Sequence, residues 1–157
     1  MSEPARILVI DDEERIRRTI SLILGRAGYV VDTAENGKQA IEKSGANFYN
    51  LALIDVRLPD MEGTELLTAL KETTPKMVKI VLTGYPSLQN SVKAINKGVD
   101  YYLIKPVDPD ELLRVIKEML DKQRREGEYG QQRLAQFVET RFKELQTEEL
   151  YIPGKAE

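Results

Sequence analysis

Hydrophobic and polar positions form a repeating block pattern over the first two thirds of the chain. Apolar runs occur at residues 5–10, 51–54 and 77–82, and polar residues follow each run directly. Continuous apolar runs of this length are typical of strands that are buried on both faces of a parallel sheet. The more mixed segments 29–34 and 99–104 predict two further strands, the first of them at an edge of the sheet.

Between these runs, apolar residues recur at the spacing of one helix face. Glycines mark the ends of several of these helices, and Asp108–Pro109 is a strong helix start. The pattern predicts helices over residues 16–27, 36–45, 66–70, 86–97 and 108–120. Strand and helix alternate five times, which predicts an α/β fold with a doubly wound five-stranded parallel sheet and helices on both of its faces.

The pattern changes after Gly127. Large apolar residues then recur at helical spacing between Gly130 and Pro153, namely Leu134, Phe137, Val138, Phe142 and Leu145. We interpret them as one side of a separate amphipathic helix over about residues 131–146. The chain is thus expected to contain an α/β domain at 4–124 and a C-terminal helical extension at 125–157. Whether the apolar side packs back on the α/β domain or forms a surface for a partner or a second copy remains open.

Candidate chemistry lies where the predicted strands end. The residues that follow four of the five strands are Asp11 and Asp12, then Asp55, then Thr83 and Gly84, and finally Lys105. The carboxyl ends of parallel strands share one edge, so these residues are expected to lie together. Two carboxylates 4 Å apart repel by about 4 kcal/mol at an effective dielectric near 20. Lys105 and a divalent cation with oxygen ligands, such as Mg²⁺, would offset this repulsion, and the group would then be equipped to accept a phosphoryl group.

Composition narrows the function classes. The 157 residues include no cysteine and no histidine, which excludes disulfides, thiolate chemistry and catalysis by a Ser–His pair. The net charge of −3 gives no electrostatic footprint for nucleic acid. The chain has no apolar run as long as a membrane span, which needs about 18 residues, and no basic start of a signal peptide. We therefore expect a cytoplasmic protein that binds neither nucleic acid nor a membrane.

Four motifs in order carry a family resemblance: IDDEE, LIDVRLPDMEG, LTGYPS and GVDYYLIKPVDPDEL. Together they resemble the receiver domain of two-component response regulators, the CheY-like family, over about residues 4–124. The resemblance implies a flavodoxin-like sheet with the strand order 2-1-3-4-5. It also implies that Asp55 is the phosphoacceptor, and that Asp12, Asp55 and the backbone carbonyl of Arg57 bind Mg²⁺, while Asp11 acts through metal-bound water.

The same resemblance assigns roles on the fourth and fifth strands. Thr83 matches the switch hydroxyl that contacts the phosphoryl group, and the amide of Gly84 assists it. Lys105 matches the lysine that pairs with a phosphoryl oxygen, and Lys105–Pro106 is expected to be a cis peptide. Tyr102 matches the aromatic residue that turns inward on activation, although the neighbouring Tyr101 is a second candidate.

These assignments imply a signalling switch rather than a classical enzyme, with no reaction beyond its own phosphorylation and dephosphorylation. A sensor histidine kinase or a histidine phosphotransfer protein would supply the phosphoryl group, since the chain has no histidine. The signal would pass to an unidentified downstream protein. A homodimer would form through the surface of the fourth helix, fifth strand and fifth helix, or through the C-terminal helix.

Three alternatives compete with this interpretation. The chain can be the N-terminal receiver of a larger response regulator with a DNA-binding or enzymatic output domain. A phosphatase of the haloacid-dehalogenase type also uses an aspartyl phosphate, but it needs a second Asp where this chain has Arg57. A flavodoxin-like nucleotide binder is disfavoured because Asp11 and Asp12 would repel a phosphate group.

Overall fold

A computed structural model describes residues 3–84, 87 and 97–150, with side chains described to residue 147. Its strands are β1 (Arg6–Ile10), β2 (Val30–Ala34), β3 (Leu51–Asp55), β4 (Val78–Thr83) and β5 (Tyr101–Ile104). Its helices are α1 (Glu14–Arg26), α2 (Gly37–Ala46), α3 (Gly63–Ala69) and the C-terminal helix (Pro109–Leu150). Residues 86 and 88–96 of the helix predicted at 86–97 lie outside the described residues.

The five strands form one parallel sheet in the order β2-β1-β3-β4-β5. This order confirms the predicted fold class and strand order. The three apolar runs became β1, β3 and β4, and all five residues of β3 are buried. β3 lies in the middle of the sheet, which explains why its sequence shows no alternation of polar and apolar residues.

Alternating side chains of the strands form two apolar cores, one on each face of the sheet. Ile7 and Val9 of β1 point to the face that is covered by α1 and the first turns of the C-terminal helix. Leu8 and Ile10 point to the other face, which is covered by α2 and α3. Helices therefore cover both faces, as the doubly wound prediction requires.

Gln123 ties the C-terminal helix to the edge of the sheet where the strands begin. Its buried side-chain amide donates hydrogen bonds to the carbonyl oxygens of Asn50 (2.9 Å) and Lys76 (2.7 Å). These two residues lie just before the central strands β3 and β4. The carbonyl oxygen of Asn50 also accepts the N–H of Val78, so Gln123 adds a second hydrogen bond where β3 and β4 begin.

The prediction of a separate helix at 131–146 was wrong in one respect. Residues 108–120 and 131–146 do not form two helices, because the C-terminal helix runs without a break from Pro109 to Leu150. We expected the periodicity of the first helix to end after Gly127 and a new helix to follow Gly130, but a glycine inside a helix costs only about 1 kcal/mol relative to alanine. Glutamate, glutamine and arginine surround both glycines, and no proline occurs between Pro109 and Pro153.

By their internal contacts, the residues divide into two units, Met1–Gln123 and Arg124–Glu157. In the second unit, the five apolar residues of the predicted stripe are 48–67% exposed: Leu134, Phe137, Val138, Phe142 and Leu145. Within the described part of the chain, no helix contains a segment that is both long and apolar enough to cross a membrane.

Gly63 fixes the path of the chain directly after β3. Its N–H donates a 2.7 Å hydrogen bond to the carbonyl oxygen of Val56. A Cβ atom at Gly63 would lie 2.3 Å from the carbonyl oxygen of Asp55 and 2.9 Å from the Cα atom of Val56. Only glycine therefore allows the first residue of α3 to approach the end of β3 so closely.

We predict that Gly63→Ala lowers the free energy of unfolding by about 1–3 kcal/mol or more, because both atoms that a Cβ would meet belong to the backbone. Gly25→Ala in α1 is the matched control, since nothing lies within 4 Å of its Cβ position. It should stabilise the protein by up to about 1 kcal/mol. Urea unfolding of both variants measures the difference, and equal stabilities would contradict the packing argument.

Candidate functional site

Three strands bring the predicted acidic residues and lysine to one edge of the sheet. β1 and β3 are neighbours with Ile10 paired to Ile54, so the residues that follow them emerge side by side. Carboxylate oxygens of Asp11, Asp12 and Asp55 all lie within 4.8 Å of one another. Asp11 is 1% exposed and Asp55 is 7% exposed, whereas Asp12 faces solvent.

Lys105 lies between two of these carboxylates. Its Nζ donates a 2.9 Å hydrogen bond to Oδ2 of Asp11 and lies 3.7 Å from Oδ2 of Asp55. Its backbone N–H donates to the carbonyl oxygen of Thr83 at 2.7 Å, and the Lys105–Pro106 peptide bond is cis. The ammonium group is therefore held at the acidic cluster both by its side chain and by the end of β4.

The electrostatics of the cluster shift two pKa values. Burial, followed by the charge of Asp11, raises the pKa of Asp55 to about 6, although Lys105 and the N–H of Arg57 act in the opposite direction. Burial disfavours the charge of Lys105, but its hydrogen bond to Asp11 and the charges of Asp11 and Asp55 raise its pKa overall. Lys105 is thus protonated at neutral pH and offsets only part of the negative charge.

The loop after β1 is held by hydrogen bonds that the sequence did not predict. The guanidinium group of Arg17 donates to the carbonyl oxygen of Asp11 at 2.7 Å. The N–H of Glu13 donates to Oδ1 of Asp11 at 2.9 Å. In the sequence, Arg17 cannot be told from any other polar residue of a helix. Its position six residues after Asp11, at the start of α1, is the one signal that could have indicated this contact.

The loop after β3 positions Arg57 and contains a second residue that the sequence analysis missed. The N–H of Arg57 donates to Oδ1 of Asp55 at 3.2 Å, and Arg57 forms an isolated β-bridge with Glu62. Asp60 accepts hydrogen bonds from the N–H groups of Gly37 and Lys38, both at 2.9 Å. These hydrogen bonds lower the pKa of Asp60. A pairing across 22 residues leaves no local signal in the sequence.

Thr83 and Gly84 lie at the end of β4, next to Lys105. Thr83 is buried and Gly84 is exposed, and a Cβ atom at Gly84 would lie 4.0 Å from Cβ of Lys105. Thr83 is paired with Ile104 and Val81 with Tyr102, so alternation puts the side chains of Thr83 and Tyr102 on the same face of the sheet.

The two adjacent tyrosines point to opposite faces. Tyr102 packs against the core beneath α2 and α3, and Tyr101 against the core beneath α1 and the C-terminal helix. The Tyr102 hydroxyl is buried and has no hydrogen-bond partner within the described part of the chain. Of the two rings, Tyr102 is therefore the one that shares a face with Thr83.

This arrangement can bind a cation and an anion side by side. Carboxylates are hard oxygen ligands of the kind that Mg²⁺ prefers, and their excess negative charge favours a divalent ion. Lys105, the N–H of Arg57 and the hydroxyl of Thr83 are donors of the kind that stabilise oxygens of a transferring group. The donor set therefore fits Mg²⁺ next to a reactive carboxylate.

Known proteins with similar sequences are response regulators. The sequence pattern of the response regulator receiver domain matches residues 7–117, more than half of the chain. The transcriptional regulatory protein ResD of Bacillus subtilis (strain 168) is 37% identical over 115 residues, which cover 73% of this chain and 48% of that protein. SrrA of Staphylococcus aureus (strain NCTC 8325 / PS 47), also a transcriptional regulatory protein, is 36% identical over 114 residues, or 73% and 47% of the two chains. The chain thus spans about half the length of these relatives.

Solved structures show the same fold. A CheY-like receiver domain protein from Methanospirillum hungatei JF-1 is 48% identical, with a TM-score of 0.76 over 79% of this chain and 99% of that chain. A response regulator from Burkholderia pseudomallei, solved with a phosphorylated aspartic acid, calcium ion and citrate, is 32% identical, with a TM-score of 0.68 over 78% and 72% of the chains. The family match runs from Ile7, the second residue of β1, past the end of β5, and it includes the residues of the acidic cluster. The chain therefore belongs to the response regulator receiver domains, the CheY-like family of two-component signal transduction.

Proposed function

We propose that Asp55 accepts a phosphoryl group and that the chain is a phosphorylation-activated signalling switch. The observation that carries this proposal is the convergence of three carboxylates on one lysine at the carboxyl edge of the sheet. Asp55 is the central member, because it ends the fully buried strand β3 and its carboxylate accepts a hydrogen bond from the N–H of Arg57. The Burkholderia response regulator contains a phosphorylated aspartic acid, which supports the same chemistry in a relative.

The proposed metal ligands are the carboxylates of Asp12 and Asp55 and the backbone carbonyl of Arg57, with Asp11 acting through metal-bound water. A bound Mg²⁺ supplies positive charge to the oxygens of the transferring group. Asp12 suits direct coordination because it is the solvent-exposed member of the cluster and can be reached by an incoming ion. Asp11 is already engaged by Lys105 and by the N–H of Glu13.

In the transfer step, a carboxylate oxygen of Asp55 attacks the phosphorus atom of a phosphohistidine in the partner kinase. The new P–O bond forms as the P–N bond breaks, and the electron pair of that bond leaves with the imidazole, which then takes up a proton. Lys105 is positively charged and pairs with one phosphoryl oxygen. At the end of β4, the hydroxyl of Thr83 and the N–H of Gly84 donate hydrogen bonds to other phosphoryl oxygens.

The signal is proposed to leave the site through Thr83 and Tyr102. Their side chains lie on the same face of the sheet, on adjacent strands. When Thr83 moves toward the phosphoryl group, the packing of Tyr102 against its core changes. The Tyr102 hydroxyl is buried and has no hydrogen-bond partner among the described residues. Because an unpaired buried hydroxyl is unfavourable, a second ring position that pairs it would be favoured.

The proposed partners are a sensor histidine kinase or histidine phosphotransfer protein and a downstream protein target. The proposed boundaries are a receiver domain at 4–124 and an extension at 125–157, in a cytoplasmic protein. The alternative is a receiver that belongs to a larger regulator, as the two transcriptional regulatory proteins above are about twice as long as the matched region. A stop codon directly after the codon of Glu157 would exclude that alternative.

The first prediction from the proposed function tests the phosphoacceptor. Incubation with acetyl phosphate and Mg²⁺ should add one phosphoryl group, which intact-mass spectrometry detects as one mass shift. Asp55→Asn and removal of the metal with a chelator should each abolish it. Asp110→Asn, at an exposed acid of the C-terminal helix, is the control and should be labelled like the wild type. Labelling of the Asp55→Asn variant at another residue would contradict the assignment.

The second prediction concerns pH and stability without metal. The pKa of Asp55 is about 6 in the folded state, so the folded protein holds this proton more tightly than the unfolded chain. Stability should therefore fall as the pH rises from about 4 to about 6. Asp55→Asn removes the charge and should be more stable at pH 7 by on the order of 1–3 kcal/mol, since one pKa unit corresponds to about 1.4 kcal/mol.

Thermal or urea unfolding at pH 4 and at pH 7 measures this difference. The stability gain of Asp55→Asn should vanish at the lower pH, and Mg²⁺ should reduce it at pH 7 because the ion stabilises the wild type. Asp110→Asn should gain nothing at either pH. Equal stabilities of wild type and Asp55→Asn at pH 7 would show that the carboxylate is not strained by its neighbours.

The third prediction concerns homodimerisation through the extension. Its apolar stripe is exposed along several turns, and contiguous apolar patches larger than a few hundred Å² mark interaction sites. Residues 124–147 carry five basic and four acidic side chains, so two copies would not repel each other. We expect a concentration-dependent dimer in sedimentation velocity.

The variant Val138→Glu with Phe142→Glu should be monomeric, because it places charge in the stripe. Gln136→Glu with Thr140→Glu adds the same charge on the opposite side of the helix and should still dimerise. A wild type that stays monomeric at all concentrations would contradict the proposal, and so would a stripe variant that dimerises like the control.

A further inference from the structure

The N-terminus of α2 is capped by two side chains from different parts of the chain. Asn36 acts locally, because its Oδ1 accepts the N–H of Gln39 at 2.8 Å. Asp60 comes from the loop after β3, and its two carboxylate oxygens each accept one N–H, from Gly37 and from Lys38. Together they satisfy the first three N–H groups of the helix. Asn36 already provides an ordinary cap, so the contribution of Asp60 is a tie between α2 and the β3–α3 loop.

The β3–α3 loop, residues 56–62, is closed at its base and fastened at its tip. At the base, the N–H of Gly63 bonds the carbonyl oxygen of Val56, and Arg57 is bridged to Glu62. At the tip, Asp60 is hydrogen-bonded to the N-terminus of α2. Met61 packs closely against Gly37, because a Cβ atom at Gly37 would lie 2.5 Å from Sδ of Met61. The tip is therefore attached to a helix that packs on the core of the sheet.

Arg57 lies at the base of this loop, two residues after Asp55 and three residues before Asp60. Most of the loop faces solvent: Arg57, Pro59, Asp60 and Glu62 are exposed. Val56 is buried, and Leu58 and Met61 pack against the core beneath α2 and α3. Apolar contacts therefore hold one side of the segment, and hydrogen bonds hold its exposed residues. A carboxylate that accepts two N–H groups at a helix N-terminus is a strong anchor, because charge and helix dipole act together.

We propose that Asp60 is a positioning residue of the metal site: by fastening the loop to α2, it holds the backbone carbonyl of Arg57 where Mg²⁺ needs it. The inference rests on the proposed function, since it requires that Arg57 contributes a ligand. Asp60 itself touches neither metal nor phosphoryl group. Its effect is preorganisation: the loop is ordered before the ion arrives, so binding does not have to order it.

The test compares Asp60→Ala with Asn36→Ala, which removes a cap of the same helix but leaves the loop attached. Affinity for Mg²⁺ alone is measured from amide NMR shifts of the folded, full chain during a metal titration. Asp60→Ala should bind Mg²⁺ about tenfold more weakly, the lower end of the effect of removing an outer-shell partner. Asn36→Ala should bind Mg²⁺ as tightly as the wild type, although urea unfolding should show that both variants are destabilised.

Phosphorylation by acetyl phosphate gives a second, independent measurement. For Asp60→Ala, the Mg²⁺ concentration that gives half of the maximal rate should rise by about the same factor as the dissociation constant. The rate at saturating Mg²⁺ should stay close to that of the wild type, because the carboxylate of Asp55 and Lys105 are unchanged. A fall in the saturating rate with no change in Mg²⁺ dependence would contradict a role in metal binding.

The conservative variant Asp60→Asn keeps one acceptor oxygen and should have an intermediate Mg²⁺ affinity. If Asp60→Ala does not fold, Asp60→Asn carries the test by itself. Asp12→Asn tests the proposed metal site independently of Asp60, because it removes a proposed ligand directly. If Asp12→Asn does not weaken Mg²⁺ binding, the proposed metal site is wrong. If Asp12→Asn weakens binding and both Asp60 variants bind like the wild type, only the role of Asp60 is wrong.

Discussion

Burial of the central strands is the constraint on which the acidic cluster depends, because it holds three carboxylates beside a single lysine. Two carboxylates at 4 Å repel by about 4 kcal/mol at an effective dielectric near 20, and Lys105 contacts only Asp11 and Asp55 among the three. The arrangement is unfavourable by itself and persists because the strands that end there are fixed by burial. Each fully buried aliphatic side chain contributes about 1.5–3 kcal/mol, and every residue of β3 is buried.

Burial fixes the ends of the strands, and hydrogen bonds hold the exposed parts of the loops that follow them. Arg17 holds the carbonyl oxygen of Asp11, and Asp60 holds the N-terminus of α2. Gly63 permits an approach of α3 to the end of β3 that any side chain would prevent. The site is thus anchored twice, by an apolar core below it and by a few directed polar contacts around it. The second set of anchors is the more easily changed by mutation.

The sequence predicted those parts of the fold in which a local pattern carries the information. The apolar runs gave β1, β3 and β4, and the polar residues after them gave Asp11, Asp12 and Asp55. Two features had no local pattern. Lys79 stands inside the apolar run of β4, yet it is buried, and its ammonium group donates to the carbonyl oxygen of Leu67 in α3. Asp60 resembled an ordinary turn residue, because its partners lie 22 and 23 residues away. The expected break near Gly127 failed because glycine weakens a helix without ending it.

The distribution of these residues along the chain separates the chemistry from the extension. Every residue of the candidate site, and every residue that anchors its loops, lies in the unit Met1–Gln123. Gln123, the last residue of that unit, is also the last buried residue among those described, and it fastens the helix to the beginnings of β3 and β4. Beyond it, the helix continues with large apolar side chains that face solvent. The contacts that hold the acidic cluster, made by Arg17, Arg57 and Lys105, therefore belong to the first unit, whereas the exposed apolar stripe belongs to the second.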